Sequence, residues 1–310
     1  MDDLSAQWPW SSAAATRRGL ADRIATRYPR EQRSRRTAET AYRRLLARFA
    51  SGLEVPWALA GGVALTLRLD PSRTSADLDL VVPHVGAGAA GIVDDLRRAA
   101  RIDLGDFMAF EIAEPRTHEP LGAGTRSVEL RAMASIGRTL WAAFPIDVML
   151  ATGAVASEPL GETTPLTGIP AVDDLAGLPV LPLPLQLAQK ICAMFEVHGA
   201  QPTFSTRARD LADIAIAGRQ VLDLQAHELA GALAGEVAER RARGTLPGPL
   251  PGSFDLPEAL AADWARRWPG ATRHADITFE EASAEASALL DPLLGGTASG
   301  RWRPEQRRWA

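Results

Sequence analysis

Cysteine is nearly absent: Cys192 is the only thiol among 310 residues, which excludes an internal disulfide framework and fits a reducing compartment. Lysine is equally scarce, with arginine filling every other one of the 34 basic positions and Lys190 standing alone. No apolar run approaches the roughly 20 residues that a membrane-spanning helix needs. The N-terminus has no apolar signal core, so the expectation is a cytoplasmic protein without a membrane partner. Internal repeats and low-complexity tracts are also missing.

What is present is apolar material for a sizeable core, 46% of the residues, at a length that suits two domains or one with a large appendage. The net charge of -4 is unevenly spread. Residues 1–50 carry eleven arginines against five acidic groups. Such a segment reads either as a basic arm for a polyanion such as RNA, or as a solvated helix face bearing Arg33, Arg35, Arg36, Arg43, Arg44 and Arg48.

The most informative stretch runs from Ala60-Gly61-Gly62 to Arg73-Thr74-Ser75-Ala76-Asp77-Leu78-Asp79-Leu80. Two glycines follow a short apolar strand; after a helix-length gap, two aspartates alternate with apolar residues. Strand side chains alternate with period two, so Asp77 and Asp79 emerge on one face. Two carboxylates that close repel each other. A divalent cation removes the conflict, and Mg²⁺ prefers carboxylate oxygens together with substrate phosphates. The plain alternative is a strand end with two solvated aspartates. Glycines without Cβ atoms let backbone N–H groups approach a phosphate, and the helix starting there adds its positive end.

Asp147 is the candidate third carboxylate, as the one acid in the apolar strand Phe144–Leu150, where a core position tolerates a charge only if it is paired or metal-bound. Glu129 competes for this place. Lys190 lies on a helix beyond a Gly-, Pro- and Thr-rich segment, residues 151–182. Lysine offers a compact, flexible ammonium where arginine offers a planar fork. It is therefore read as a triphosphate ligand, or else as an exposed helix lysine. Asp210 and Asp213 share a helix face with Arg207, either as a local ion pair or as an arm of the active site.

Alternating strands and helices, then accumulating strands, then helical periodicity from about residue 183 predict an α+β mixed sheet with helices on one side and a mainly helical C-terminal half. The expected division is a basic helical arm (1–50), a catalytic domain (51–170) and a helical domain (171–310).

Gly61-Gly62, Arg73-x-Ser75-x-Asp77-x-Asp79, Asp147, Leu187-Ala188-Gln189-Lys190 and Arg207-x-Arg209-Asp210-Leu211-x-Asp213 resemble, in order and spacing, the AbiEii-type nucleotidyltransferase toxins, including the mycobacterial MenT group. The resemblance runs from about Trp57 to Ile216. It implies a polymerase-β-like nucleotidyltransferase fold and transfer of a nucleotide from an NTP with Mg²⁺ (or Mn²⁺), onto RNA such as the 3′ end of tRNA. It also implies a cognate antitoxin. Carried over by position, Asp77 and Asp79 bind metal, Ser75 lies at the metal centre, Lys190 holds the triphosphate, and Asp210 is an essential acid near the acceptor or nucleotide. With these, Asp147 is taken as the third metal ligand, and Gly61, Gly62, Ser75, Lys190 and Arg207 as the nucleotide-binding residues. Ala60 departs from the family, which often has lysine there, and so does the segment around Gly199-Ala200-Gln201-Pro202. Two other readings remain open: nucleotidylation of a small molecule such as an aminoglycoside, and nucleotide binding without turnover.

Overall fold

The computed structural model describes residues 8–69, 75, 77–84, 88–113, 116–117, 126–151, 153–196, 207–246, 248–271 and 277–310. Arg73 and the Gly199–Pro202 segment lie outside them. The described residues form two compact units, one ending at Leu181 and the other beginning at Pro182, with Leu69 counted in the second.

The first unit opens with α1 (Ala13–Arg27), started by Ser12 accepting from the N–H of Ala15, and α2 (Arg33–Gly52). There follow β1 (Ala58–Ala60), α3 (Gly61–Arg68), β2 (Leu78–Pro83), α4 (Gly88–Ala100), β3 (Met108–Ile112), β4 (Arg116–Thr117), β5 (Arg126–Ile136), β6 (Thr139–Ala151), β7 (Glu158–Pro159), α5 (Pro170–Asp173) and β8 (Pro179–Val180). The strands form one sheet in the order β3-β5-β6-β2-β1-β8-β7, with β4 beside β5. It is mixed, as expected: β2 runs parallel to β6 and β1 parallel to β8, while the remaining pairs are antiparallel.

Period-two alternation gives this sheet a buried and an open face. Phe110, Val128, Leu130, Phe144, Ile146 and Val148 point inward to a core shared with Leu45, Leu46 and Phe49 of α2 and Leu96 of α4. Their strand neighbours Glu111, Arg131, Met133, Asp147 and Met149 are exposed. β6 is much longer than the expected Phe144–Leu150. The tight turn at Gly137, where φ is 61°, brings β5 back against β6 along its whole length, and pairing extends the strand past its apolar pattern.

The basic N-terminal segment is not a separate arm. Leu20, Leu45, Leu46 and Phe49 belong to the sheet's own core, and the unit boundary falls at Leu181 rather than near residue 170. Arg36, Arg43, Arg44 and Arg48 are buried, so neither sequence reading of that segment describes these four. α2 is enclosed on all sides from Glu39 to Phe49, and charges inside it must be paired. Asp106, fully buried, accepts from Arg44 Nε at 2.7 Å and from Arg48 Nη1 and Nη2 at 2.9 and 2.7 Å. Glu39 pairs with Arg36 at 2.7 Å and Arg43 at 3.0 Å. Arg44 also donates to the carbonyl of Ala171. Arg17, Arg18, Arg27, Arg30, Arg33 and Arg35 remain exposed.

The Gly-, Pro- and Thr-rich segment after β6 is ordered by a single carboxylate. Asp173 accepts the backbone N–H groups of Leu166, Thr167, Gly168 and Ile169 at 2.5–3.1 Å, gathering four donors that a loop would otherwise leave to water.

The second unit is mainly helical: α6 (Leu183–Phe195), α7 (Ala208–Gln220), α8 (Ala226–Ala242), α9 (Glu258–Ala271) and α10 (Phe279–Leu294), then a hairpin of β9 (Trp302–Arg303) and β10 (Arg308–Trp309). Thr278 and Glu281 start α10 with a reciprocal capping box. Its separate core gathers Leu187, Ile191, Leu211, Trp264, Leu289 and Trp302. The indole N–H groups of Trp268, Trp302 and Trp309 each find a carbonyl, at Ile277, Gly218 and Leu289. Among the described residues no helix is long and apolar enough to cross a membrane.

Candidate active site

Strand register brings the predicted acids together. Asp79 of β2 lies directly opposite Asp147 of β6, and Asp147 directly opposite Glu129 of β5. Directly paired residues share a face, so the three carboxylates form a row across neighbouring strands spaced about 5 Å apart. Asp77 stands one residue before β2 and two before Asp79, on the same side by period two. Asp77 and Asp79 are half-buried. Ser75 donates from Oγ to the carbonyl of Asp77 at a long 3.5 Å.

Asp147 is where the sequence put it, but for a different reason. Its side chain is on the open face, while its apolar neighbours Ile146 and Val148 are the ones that enter the core. Exposure on that face makes an acid acceptable there. Strand order puts Asp147 nearer to Asp79 than Glu129 is: β6 is the neighbour of β2, and β5 is one strand further out.

The double glycine meets the same row from the opposite side. Ala60, the last residue of β1, is paired with Asp79, and the chain turns into α3 at Gly61 with φ of 63°. A Cβ on Gly61 would lie 1.8 Å from Asp79 Oδ2. Glycine is required twice over, by the left-handed backbone and by the carboxylate seated against it. Gly61→Ala is expected to displace the Asp79 carboxylate. Circular dichroism should show a folded protein while any activity carried by the acid row falls at least about tenfold; full activity in the folded variant would show that this contact does not matter.

Among the described residues no three His, Cys, Asp or Glu side chains are gathered tightly enough to enclose an ion. The donor set nevertheless suits a hard divalent cation: carboxylate oxygens from adjacent strands on a solvent-open face, beside a turn whose backbone a phosphate can approach. Asp79 and Asp147, with Asp77, are the residues that would hold it.

In the second unit, Lys190 of α6 is clasped by α7. Its Nζ lies 2.9 Å from Asp210 Oδ1 and 2.6 Å from Asp213 Oδ2. Arg207 Nη1 approaches Asp210 Oδ2 at 3.7 Å, and that oxygen is buried without a hydrogen bond. Lys190 is therefore neither an exposed helix lysine nor an isolated charge. The sequence pointed to the Arg207–Asp210 spacing, but it missed Asp213 as a lysine partner, because helical periodicity says nothing about contacts between helices. One signal was available: Leu187, Ala188, Ile191 and Cys192 surround Lys190 with buried positions.

Arg240 of α8 was also missed. It pairs with Glu196 and Glu236 at 2.5 Å each and donates to the carbonyl of Gln189, holding the helix that carries Lys190. Burial lowers its pKa, but the two glutamates more than compensate, so it is raised overall. Beside it, burial pushes the Cys192 thiol up to about 12, which leaves it un-ionised and inert at neutral pH.

Comparison with curated proteins returns no match. Among solved structures, the chain is similar to MenT4, a nucleotidyltransferase toxin from Mycobacterium tuberculosis H37Rv, at 17% identity and a TM-score of 0.55, covering 94% of this chain and 100% of that one. It also matches JHP933 from Helicobacter pylori, at 14% identity and a TM-score of 0.47 over 86% of this chain and 91% of that one. MenT4 supports the fold: a nucleotidyltransferase-type mixed sheet followed by helices. The family model for the nucleotidyl transferase AbiEii toxin of type IV toxin–antitoxin systems matches residues 44–285, and with them the acid row, the glycine turn and the lysine clasp. A nucleotide substrate and an antitoxin partner follow from that membership, and the chain belongs to the AbiEii family of nucleotidyltransferase toxins.

Proposed function

We propose that the protein transfers a nucleotidyl group from an NTP to the 3′ end of RNA, with tRNA as the acceptor and Mg²⁺ as the metal. The observation that carries this reading is the register of Asp79 with Asp147 beside the Gly61 turn. Bound between those carboxylates, the metal would neutralise phosphate oxygens and lower the barrier to attack. The acceptor hydroxyl attacks the α-phosphorus, its proton passes to a carboxylate of the row, and the bond to pyrophosphate breaks. Gly61 and Gly62 present backbone N–H groups to the phosphates. Lys190 supplies a positive charge for the triphosphate, and Asp210 is the acid that orients it.

Incubating the protein with bulk tRNA, Mg²⁺ and each α-labelled NTP in turn should place label on the tRNA 3′ end, and a chelator should stop it. Label on an aminoglycoside but never on RNA would contradict the acceptor. Tight NTP binding without any transfer, unchanged in Asp77→Asn, would contradict the enzymatic reading altogether.

A further inference from the structure

The open face of the sheet carries a cation that the catalytic reading has not used. Arg131 lies on β5 two residues beyond Glu129, and so on the same face, directly opposite Pro145 of β6. It is exposed, and among the described residues its side chain makes no hydrogen bond or ion pair. Two strand spacings, about 10 Å, separate β5 from β2.

Strand order gives this position a direction. Across the sheet come Arg131 and Glu129 on β5, Asp147 on β6, Asp79 on β2, and then the Gly61 turn at the end of β1. The acids are flanked on one side by a turn suited to a nucleotide's phosphates and on the other by an unpaired guanidinium. A polyanionic acceptor must approach a row of carboxylates that repels it, and a planar fork beside the row offsets that repulsion while holding a phosphate in two hydrogen bonds.

We propose that Arg131 is a phosphate contact for the acceptor strand, positioning its terminal hydroxyl over the acid row from the β5 side. This rests on the transfer reaction proposed above. A phosphate could also come from the NTP, but Arg131 sits on the far side of the acids from the glycine turn, which favours the acceptor.

The test is fluorescence anisotropy of 5′-labelled tRNA across a salt series, with KM measured separately for tRNA and NTP, on full-length wild type, Arg131→Ala and Arg131→Lys. Arg131→Ala is expected to weaken tRNA binding about tenfold and reduce the salt slope by about one. The KM for NTP should stay unchanged, with Arg131→Lys recovering part of the loss. Wild-type binding and slope in Arg131→Ala would mark a solvated surface arginine and overturn the assignment. A raised KM for NTP with unchanged tRNA binding would overturn it too, by assigning Arg131 to the triphosphate, and so would a wild type that does not bind tRNA. Binding is read without turnover, so if tRNA binds but nothing is transferred, the reaction fails while the ratio of Kd values still decides the Arg131 assignment.

Discussion

Asp79→Asn is expected to lower nucleotidyl transfer by about a thousandfold or more, with the melting temperature of the protein nearly unchanged. Asparagine keeps the shape but removes the charge that a divalent cation needs, and electrostatic stabilisation of a transferring phosphoryl group is worth several kcal/mol. Asp147→Asn is expected to behave alike, because the two carboxylates face each other across one strand pair. Glu129→Gln should cost less, since Glu129 is one strand further from Asp79. The check is the initial rate of label transfer at saturating NTP and tRNA for each variant, beside a thermal melt. Equal losses at all three positions would mean that the row acts as a field rather than as ligands of one ion.

The second large effect is on stability. Asp106→Ala removes the carboxylate that both Arg44 and Arg48 grip, leaving two guanidinium groups buried without their charge partner. Breaking a buried pair in this way costs about 3–5 kcal/mol. Urea unfolding should show it as a lower midpoint at unchanged slope. The same carboxylate has a pH signature. Burial alone would raise its pKa, but the hydrogen bonds and charges of Arg48 and Arg44 outweigh burial and hold it below the usual carboxylate range. A depressed folded-state pKa stabilises fully above the unfolded value and is lost as pH falls through the folded one. The wild type should therefore lose this contribution below about pH 4, and Asp106→Asn should show a shallower acid limb than the wild type. An identical acid limb would show that Asp106 is not ionised in the native protein.

Much of the first unit was legible in the sequence because its signals are local. Alternation put Asp77 and Asp79 on one face, the double glycine marked the strand–helix turn, and helical periodicity marked the second unit. The features that went unseen are pairings between distant segments. Arg44 and Asp106 are 62 positions apart, and Arg48 and Asp106 are 58. An arginine on a helix gives no hint of which loop will neutralise it, so the segment looked like a solvated or RNA-binding surface when most of α2 is interior. Asp147 shows a subtler case. Apolar flanks in a strand mean burial only for residues of one parity, and this acid has the other. The Lys190 clasp combines both difficulties, since Asp210 and Asp213 share a face by spacing, yet nothing in that spacing names a lysine on the preceding helix.

A crystal soaked with Mn²⁺ and a non-hydrolysable NTP tests the central claim most directly. The expected result is an anomalous peak bridging Asp79 and Asp147, with the α-phosphate against it and the triphosphate along the Gly61-Gly62 turn. Ordered nucleotide bound elsewhere, with no metal peak at those two carboxylates, would contradict it.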